Sequence, residues 1–75
     1  LSTWFDKNGK KMSEGCFMVG MKMGYWTFWD ENGNIESEGY YNENEKVSKW
    51  KYKNSSDSGY YYEKHKPYTP PYMNE

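Results

Sequence analysis

The stretch TFWDENGNIESEGYY, residues 27–41, decides the fold, because its centre has two readings. Asp-Glu-Asn-Gly is either half of a calcium loop or a turn between two strands. An EF-hand loop with Gly33 as its glycine would begin its ligands at position 28 and end on an acidic residue at position 39. Those positions hold Phe28 and Gly39. The pattern also occurs 24 residues earlier, as TWFDKNGKKMSEGCF (3–17), where the same two places hold Trp4 and Gly15. Both ligands are missing twice in one register, so the stretch turns the chain.

The self-similarity is the larger finding. Thr3, Asp6, Asn8, Gly9, Ser13, Glu14 and Gly15 match Thr27, Asp30, Asn32, Gly33, Ser37, Glu38 and Gly39. Aromatic residues fall in step as well, and the same spacing sets Lys22 over Lys46, Trp26 over Trp50 and Phe28 over Tyr52. Asn-Gly between aromatic-rich runs is a strong hairpin signal, since a type I′ turn needs positive φ at both central residues. Asn8, Gly9, Asn32 and Gly33 are therefore read as type I′ repeat turns, with further turns near 19–21, 42–45 and 54–59. The expected fold is all-β: an antiparallel meander of repeated hairpins with six strands, at about 2–6, 10–18, 22–30, 34–42, 46–53 and 59–64. Residues 1–64 form the repeat region, with copies at about 2–25 and 26–49 and a partial copy at 50–64. Residues 65–75, with three Pro, read as an extended tail.

Strand alternation assigns two faces. Trp4, Trp26, Phe28, Trp50 and Tyr52 share one, the expected core. Thr3, Phe5, Thr27, Trp29, Lys51 and Lys53 share the other. Gly15 and Gly39 are expected to leave room for a ring from an adjacent strand.

Composition narrows the function. Seventy-five residues make one small domain, with nine Tyr and four Trp in place of the usual aliphatic core. The chain has no Arg, and its ten Lys are interspersed with eleven acidic residues for a net charge of −1. Without an Arg fork or a basic stripe, nucleic-acid binding is not expected. A single Cys, Cys16, excludes an internal disulfide and a Cys-based zinc site. No run approaches the roughly 20 apolar residues of a transmembrane helix, and no signal-peptide pattern is present. These features favour a cytoplasmic setting or a macromolecular assembly.

The run DKNGKKMSEGCFMVGMKMGYWTFWDENGNIESEGYYNENEKVSKW resembles the MORN-repeat variant family, with its aromatic, x-N-G, S-E-G, aromatic and Gly–Trp pattern over residues 2 to about 52. Gly20 and Gly24 stand at that family's second glycine pair, and their counterparts Asn44 and Ser48 depart from it. The resemblance implies a twisted, elongated meander acting as a scaffold. Bacterial members are often labelled antitoxins, so an antitoxin-like regulatory binder is one alternative. A choline- or glucan-binding wall repeat, with aromatic cages, is another, although its period is nearer 20 residues.

Other chemistry finds little footing. His65, between two Lys, lacks a nucleophile motif and reads as a solvated tail residue. Cys16 reads as a small buried or half-buried side chain, and Glu36 and Glu38 as a solvated outer face. No catalytic residue, metal site or cofactor is expected, and the chain reads as non-enzymatic. One face of a lone meander cannot enclose its rings on every side. The expected function is thus a protein–protein interaction or structural module completed by contact with a partner, a larger assembly, or a second copy at an edge strand. Trp29, Tyr60, Tyr61, Tyr62, Tyr68 and Tyr72 are the candidate contact residues.

Overall fold

A computed structural model describes residues 1–54, 56 and 59–67. It shows six strands, β1 (Ser2–Phe5), β2 (Lys11–Met18), β3 (Met21–Trp29), β4 (Ile35–Asn42), β5 (Glu45–Lys53) and β6 (Tyr60–Lys64). They lie in one sheet in chain order, each antiparallel to the next, and no helix occurs among the described residues. The fold is an all-β meander. Its extents of 44 × 27 × 12 Å make it a single layer.

The loops at 6–10 and 30–34 differ from the expected type I′ turns. Gly9 and Gly33 have φ of 84° and 85°, but Asn8 and Asn32 are not in the left-handed region. An acidic side chain explains the change. Asp6 Oδ1 accepts the amides of Asn8 and Lys10 at 2.8 and 3.0 Å, and Asp30 Oδ1 accepts those of Asn32 and Asn34 at 2.9 and 3.0 Å. Each loop is thus a β-turn, closed by Gly N–H to Asp C=O, that ends in a left-handed glycine, the three-residue hairpin form.

Positive φ at both central residues occurs instead at the opposite rim. Val19 and Gly20 have φ of 51° and 76°, and Glu43 and Asn44 have 51° and 69°. The pairs Met18↔Met21 and Asn42↔Glu45 flank these two-residue turns. Gly24 and Ser48 are likewise left-handed, at 76° and 66°, beside the register shifts at 14/16 and 38/40. The second copy therefore keeps the backbone of the first after losing its glycines.

Gly15 and Gly39 fix the core. The indole of Trp26 lies on Gly15 so closely that a Cβ there would meet ring carbon at 2.1 Å, and Trp50 lies on Gly39 with a corresponding 2.4 Å. Each indole N–H then reaches a carbonyl beside its glycine, Trp26 to Cys16 at 3.1 Å and Trp50 to Tyr40 at 2.9 Å. The two rings are 1% and 0% exposed, and Val47 joins them as the third buried apolar side chain among the described residues. Polar satisfaction and burial are achieved together in both copies.

Candidate functional site

A column of stacked rings runs along one face of the sheet. Trp4 stacks on Trp26, Trp26 on Phe28, Phe28 on Trp50, Trp50 on Tyr52 and Tyr52 on Tyr61, with centroids 5.5, 6.0, 6.4, 6.2 and 5.5 Å apart. Phe17, Tyr41 and His65 stand edge-on to it at positions 24 residues apart. His65 is thus not a solvated tail residue. Its amide donates to Ser48 C=O at 2.7 Å, and Ser48 N–H donates to Lys66 C=O at 2.7 Å. The sheet pairing consequently continues past residue 64, into the segment expected to be tail. Tyr52 Oη lies within hydrogen-bonding distance of His65 Nε2, at 3.0 Å, and accepts Lys46 Nζ at 3.2 Å.

Trp26 and Trp50 are the buried members of the expected core set, while Phe28 and Tyr52 are half-buried. Trp4 differs. It is 41% exposed, because one face stacks on Trp26 and, among the described residues, no ring covers the other. Beside it Phe5, Met12 and Phe17 are also exposed, and these residues with Trp26 and Lys22 line a groove of about 410 Å³. Sequence reading missed this groove. Its signal was present at position 2, where the chain has Ser and the two copies have Trp26 and Trp50.

The candidate contact residues are not gathered together. Trp29 is half-buried, with Lys11 Nζ 5.4 Å from its ring centre. Tyr60, Tyr61 and Tyr62 are exposed, but Tyr61 joins the ring column. Tyr60 carries Lys51 and Tyr62 carries Lys49, at 4.3 and 5.6 Å. Tyr68 and Tyr72 lie outside the described residues.

The opposite face is a polar ladder. Thr3 donates to Glu14 at 2.9 Å, Glu14 pairs across with Thr27, Thr27 with Glu38, and Lys51 Nζ lies 3.5 Å from Glu38. Glu38 is therefore partly buried and ion-paired rather than solvated, and Cys16 is exposed on the surface rather than tucked in. Partial burial, then the charge and hydrogen bonding of Glu38, push the Tyr25 phenol up to about 12. Asp30 is fully engaged: Oδ1 holds the turn and Oδ2 takes Lys53. That hydrogen bond from Lys53 is the main reason its carboxyl lies below the usual range; partial desolvation opposes it, and the amides of Asn34 and Asn32 assist. Among the described residues, no group of three or more His, Cys, Asp or Glu is placed to hold a metal ion.

The fold and its ring column define an all-β, single-layer repeat sheet, which is the class of this protein. Comparison with family models, curated proteins and solved structures finds no match. Among the described residues no helix is long and apolar enough to cross a membrane, which says nothing of strands crossing as a barrel.

Proposed function

We propose that this chain is a non-enzymatic interaction module of the MORN-like kind, whose aromatic face is completed by contact with another protein. The observation that carries the reading is the open end of the ring column. Trp4, Phe5, Met12 and Phe17 are 41, 57, 50 and 45% exposed side by side, in a sheet only 12 Å thick with no second layer among the described residues. A contiguous apolar patch of this kind is a mark of an interaction surface. Aromatic and Met side chains are also the types enriched at such contacts.

The wall-ligand alternative has less support. A cationic ligand would need a cage of several free ring faces, and away from the open end two of the chain's own lysines already lie against the rings. Lys22 Nζ is 5.7 and 5.5 Å from the ring centres of Trp26 and Tyr41, and Lys46 Nζ is 4.8 and 5.0 Å from those of Trp50 and Tyr52.

The test is capture from the native source with three baits: the unaltered chain, Phe17→Lys in the groove, and Lys7→Ser in an exposed turn. A partner held by the first and third and lost by the second is the expected result. A partner that Phe17→Lys retains, or recovery of the unaltered chain with neither another protein nor a second copy of itself bound, would overturn the assignment.

A further inference from the structure

The two ends of the ring column complement one another. Within the chain, each even strand passes to the next odd strand through the same junction. Ser13 pairs with Phe28 and Glu14 with Thr27 at β2–β3; Ser37 pairs with Tyr52 and Glu38 with Lys51 at β4–β5. In both junctions the odd strand brings a Trp onto the glycine of the even strand. Stepping on by 24 residues, β6 presents Tyr61 at the place of Ser13 and Ser37, and Glu63 at the place of Gly15 and Gly39. At the other edge, β1 presents Ser2 at the place of Trp26 and Trp50, and Trp4 at the place of Phe28 and Tyr52.

These substitutions fit each other. Glu63 could not sit beneath an indole, but Ser2 brings none. Tyr61 stacks on Tyr52 at 5.5 Å and 28°, as Trp26 stacks on Trp4 at 5.5 Å and 28°, and so stands where the next Trp of the column would be. Phe28 and Tyr52 each have a Trp stacked two residues before them; Trp4 has Ser2 there instead. The chain thus carries an extra ring at β6 and lacks one at β1. Strand direction also agrees, since β1 and β6 run antiparallel in the alternating sheet.

Resting on the contact-completed reading above, we infer that the occupant of the β1 edge is β6 of a second copy, head to tail, with Tyr61 opposite Trp4 and Tyr62 opposite Thr3 of the neighbour. Tyr61 then covers the bare face of Trp4, and the β2–β3 and β4–β5 interface continues between molecules. Such a contact is heterologous, so it propagates rather than closing on a dimer. Strands of four and five residues make it a small, concentration-dependent interface.

Cysteines at Thr3 and Tyr62, in a Cys16→Ser background, test the register. Directly paired strand positions lie within disulfide reach. In one chain these two positions are on opposite sheet edges, about 24 Å apart at about 4.8 Å per strand. Oxidation of the double variant at high concentration should give a ladder of dimer, trimer and higher species. A mixture of the two single variants should give dimer only, and each single variant alone should stay monomeric. Dimers from either single variant alone would show like edges meeting and overturn the inference, as would a double variant that stays monomeric.

Sedimentation velocity gives a second readout without cysteines. The sedimentation coefficient of the unaltered chain should rise with concentration. Ser2→Trp, which supplies the ring at β1, should stay folded and abolish that rise. A rise that Ser2→Trp leaves intact overturns the head-to-tail contact. If no self-association is found while the Phe17-dependent partner is captured, this inference fails and the interaction reading stands.

Discussion

The two copies of the repeat bury the same tryptophan in the same way, yet leave it in different company. Trp50 is bounded by Phe28, Tyr41, Tyr52 and His65. Trp26 shares Phe28 and Tyr41 but is flanked on its other side by Trp4 and Phe17, both largely exposed. The Gly–Trp pair is therefore a self-contained device that buries a ring in a single-layer sheet. What surrounds it decides whether the neighbourhood is finished or open. Stability belongs to the device, and the proposed contact to the unfinished end.

The largest effects should strike the two devices alike. Gly15→Ala and Gly39→Ala each place a Cβ inside an indole, at 2.1 and 2.4 Å from ring carbon. Overpacking typically costs about 1–3 kcal/mol and sometimes more. In a domain this small, either variant should lose most of its urea-unfolding transition at 25 °C. Equal loss keeps the comparison intact; a tolerated Gly15→Ala would mean the open end lets Trp26 move aside.

The flanking rings should then separate the copies. Tyr41→Ser removes a half-buried ring that touches Trp26, Phe28 and Trp50, and should cost about 2 kcal/mol in urea titration. Phe17→Ser removes an exposed ring with two contacts and should cost about half as much. Equal costs would remove the distinction between finished and open ends.

A smaller effect tests the drifted glycines. Ser48 holds φ of 66° where Gly24 holds 76°. A left-handed residue other than Gly costs about 1–2 kcal/mol, part of which Gly gives back through its unfolded-state entropy. Ser48→Gly should raise stability by about 0.5–1 kcal/mol, and Gly24→Ser should lower it by a similar amount. A neutral Ser48→Gly would show that its backbone pairing with His65 and Lys66 enforces the conformation without strain.

The smallest effects are those of pH. Asp30, with its carboxyl held down, contributes stability that is present above its ordinary value of 3.8 and lost as pH falls through the lower folded value. Lys53→Met should flatten the acid limb of a Tm-against-pH curve. Tyr25, pushed up to about 12, contributes stability present below its ordinary 10.0 and lost as pH rises through about 12. Tyr25→Phe should reduce the alkaline loss, while leaving the part owed to Lys53, whose pKa is raised mainly by its hydrogen bond to Asp30. An unchanged acid limb in Lys53→Met would remove that ion pair from any difference between the copies.

Much of the architecture was legible because the repeat states each position twice. The strand bounds fall within about a residue of those read from turn residues and alternation, and the buried pair Trp26 and Trp50 stood on the face that alternation assigned. The turns were harder. Asn-Gly suggested a doubly left-handed loop, but the Asp two residues before Asn accepts two amides and selects the other form. The true doubly left-handed turns use Val19 and Glu43, residues that carry no such signal. His65 hid for a related reason: its identity breaks with Phe17 and Tyr41, while its backbone bond to Ser48 keeps their place. The groove depended on reading Ser2, at the place of Trp26 and Trp50, as a missing ring, and the stacking of Trp4 on Trp26 gives that substitution its meaning.

The ring column also gives the molecule an optical character. Indole, phenyl and phenol rings stacked within 28° of parallel, with centroids 5.5–6.4 Å apart, share their electronic transitions, so the near-ultraviolet dichroism should report the whole stack rather than a sum of isolated chromophores. Displacing one strand would interrupt that coupling along the sheet. The hydrogen-bonded indole protons of Trp26 and Trp50, sealed from solvent, should exchange slowly beside the open ring of Trp4. The fold is thus equipped with its own spectroscopic ruler, graduated from one edge of the sheet to the other.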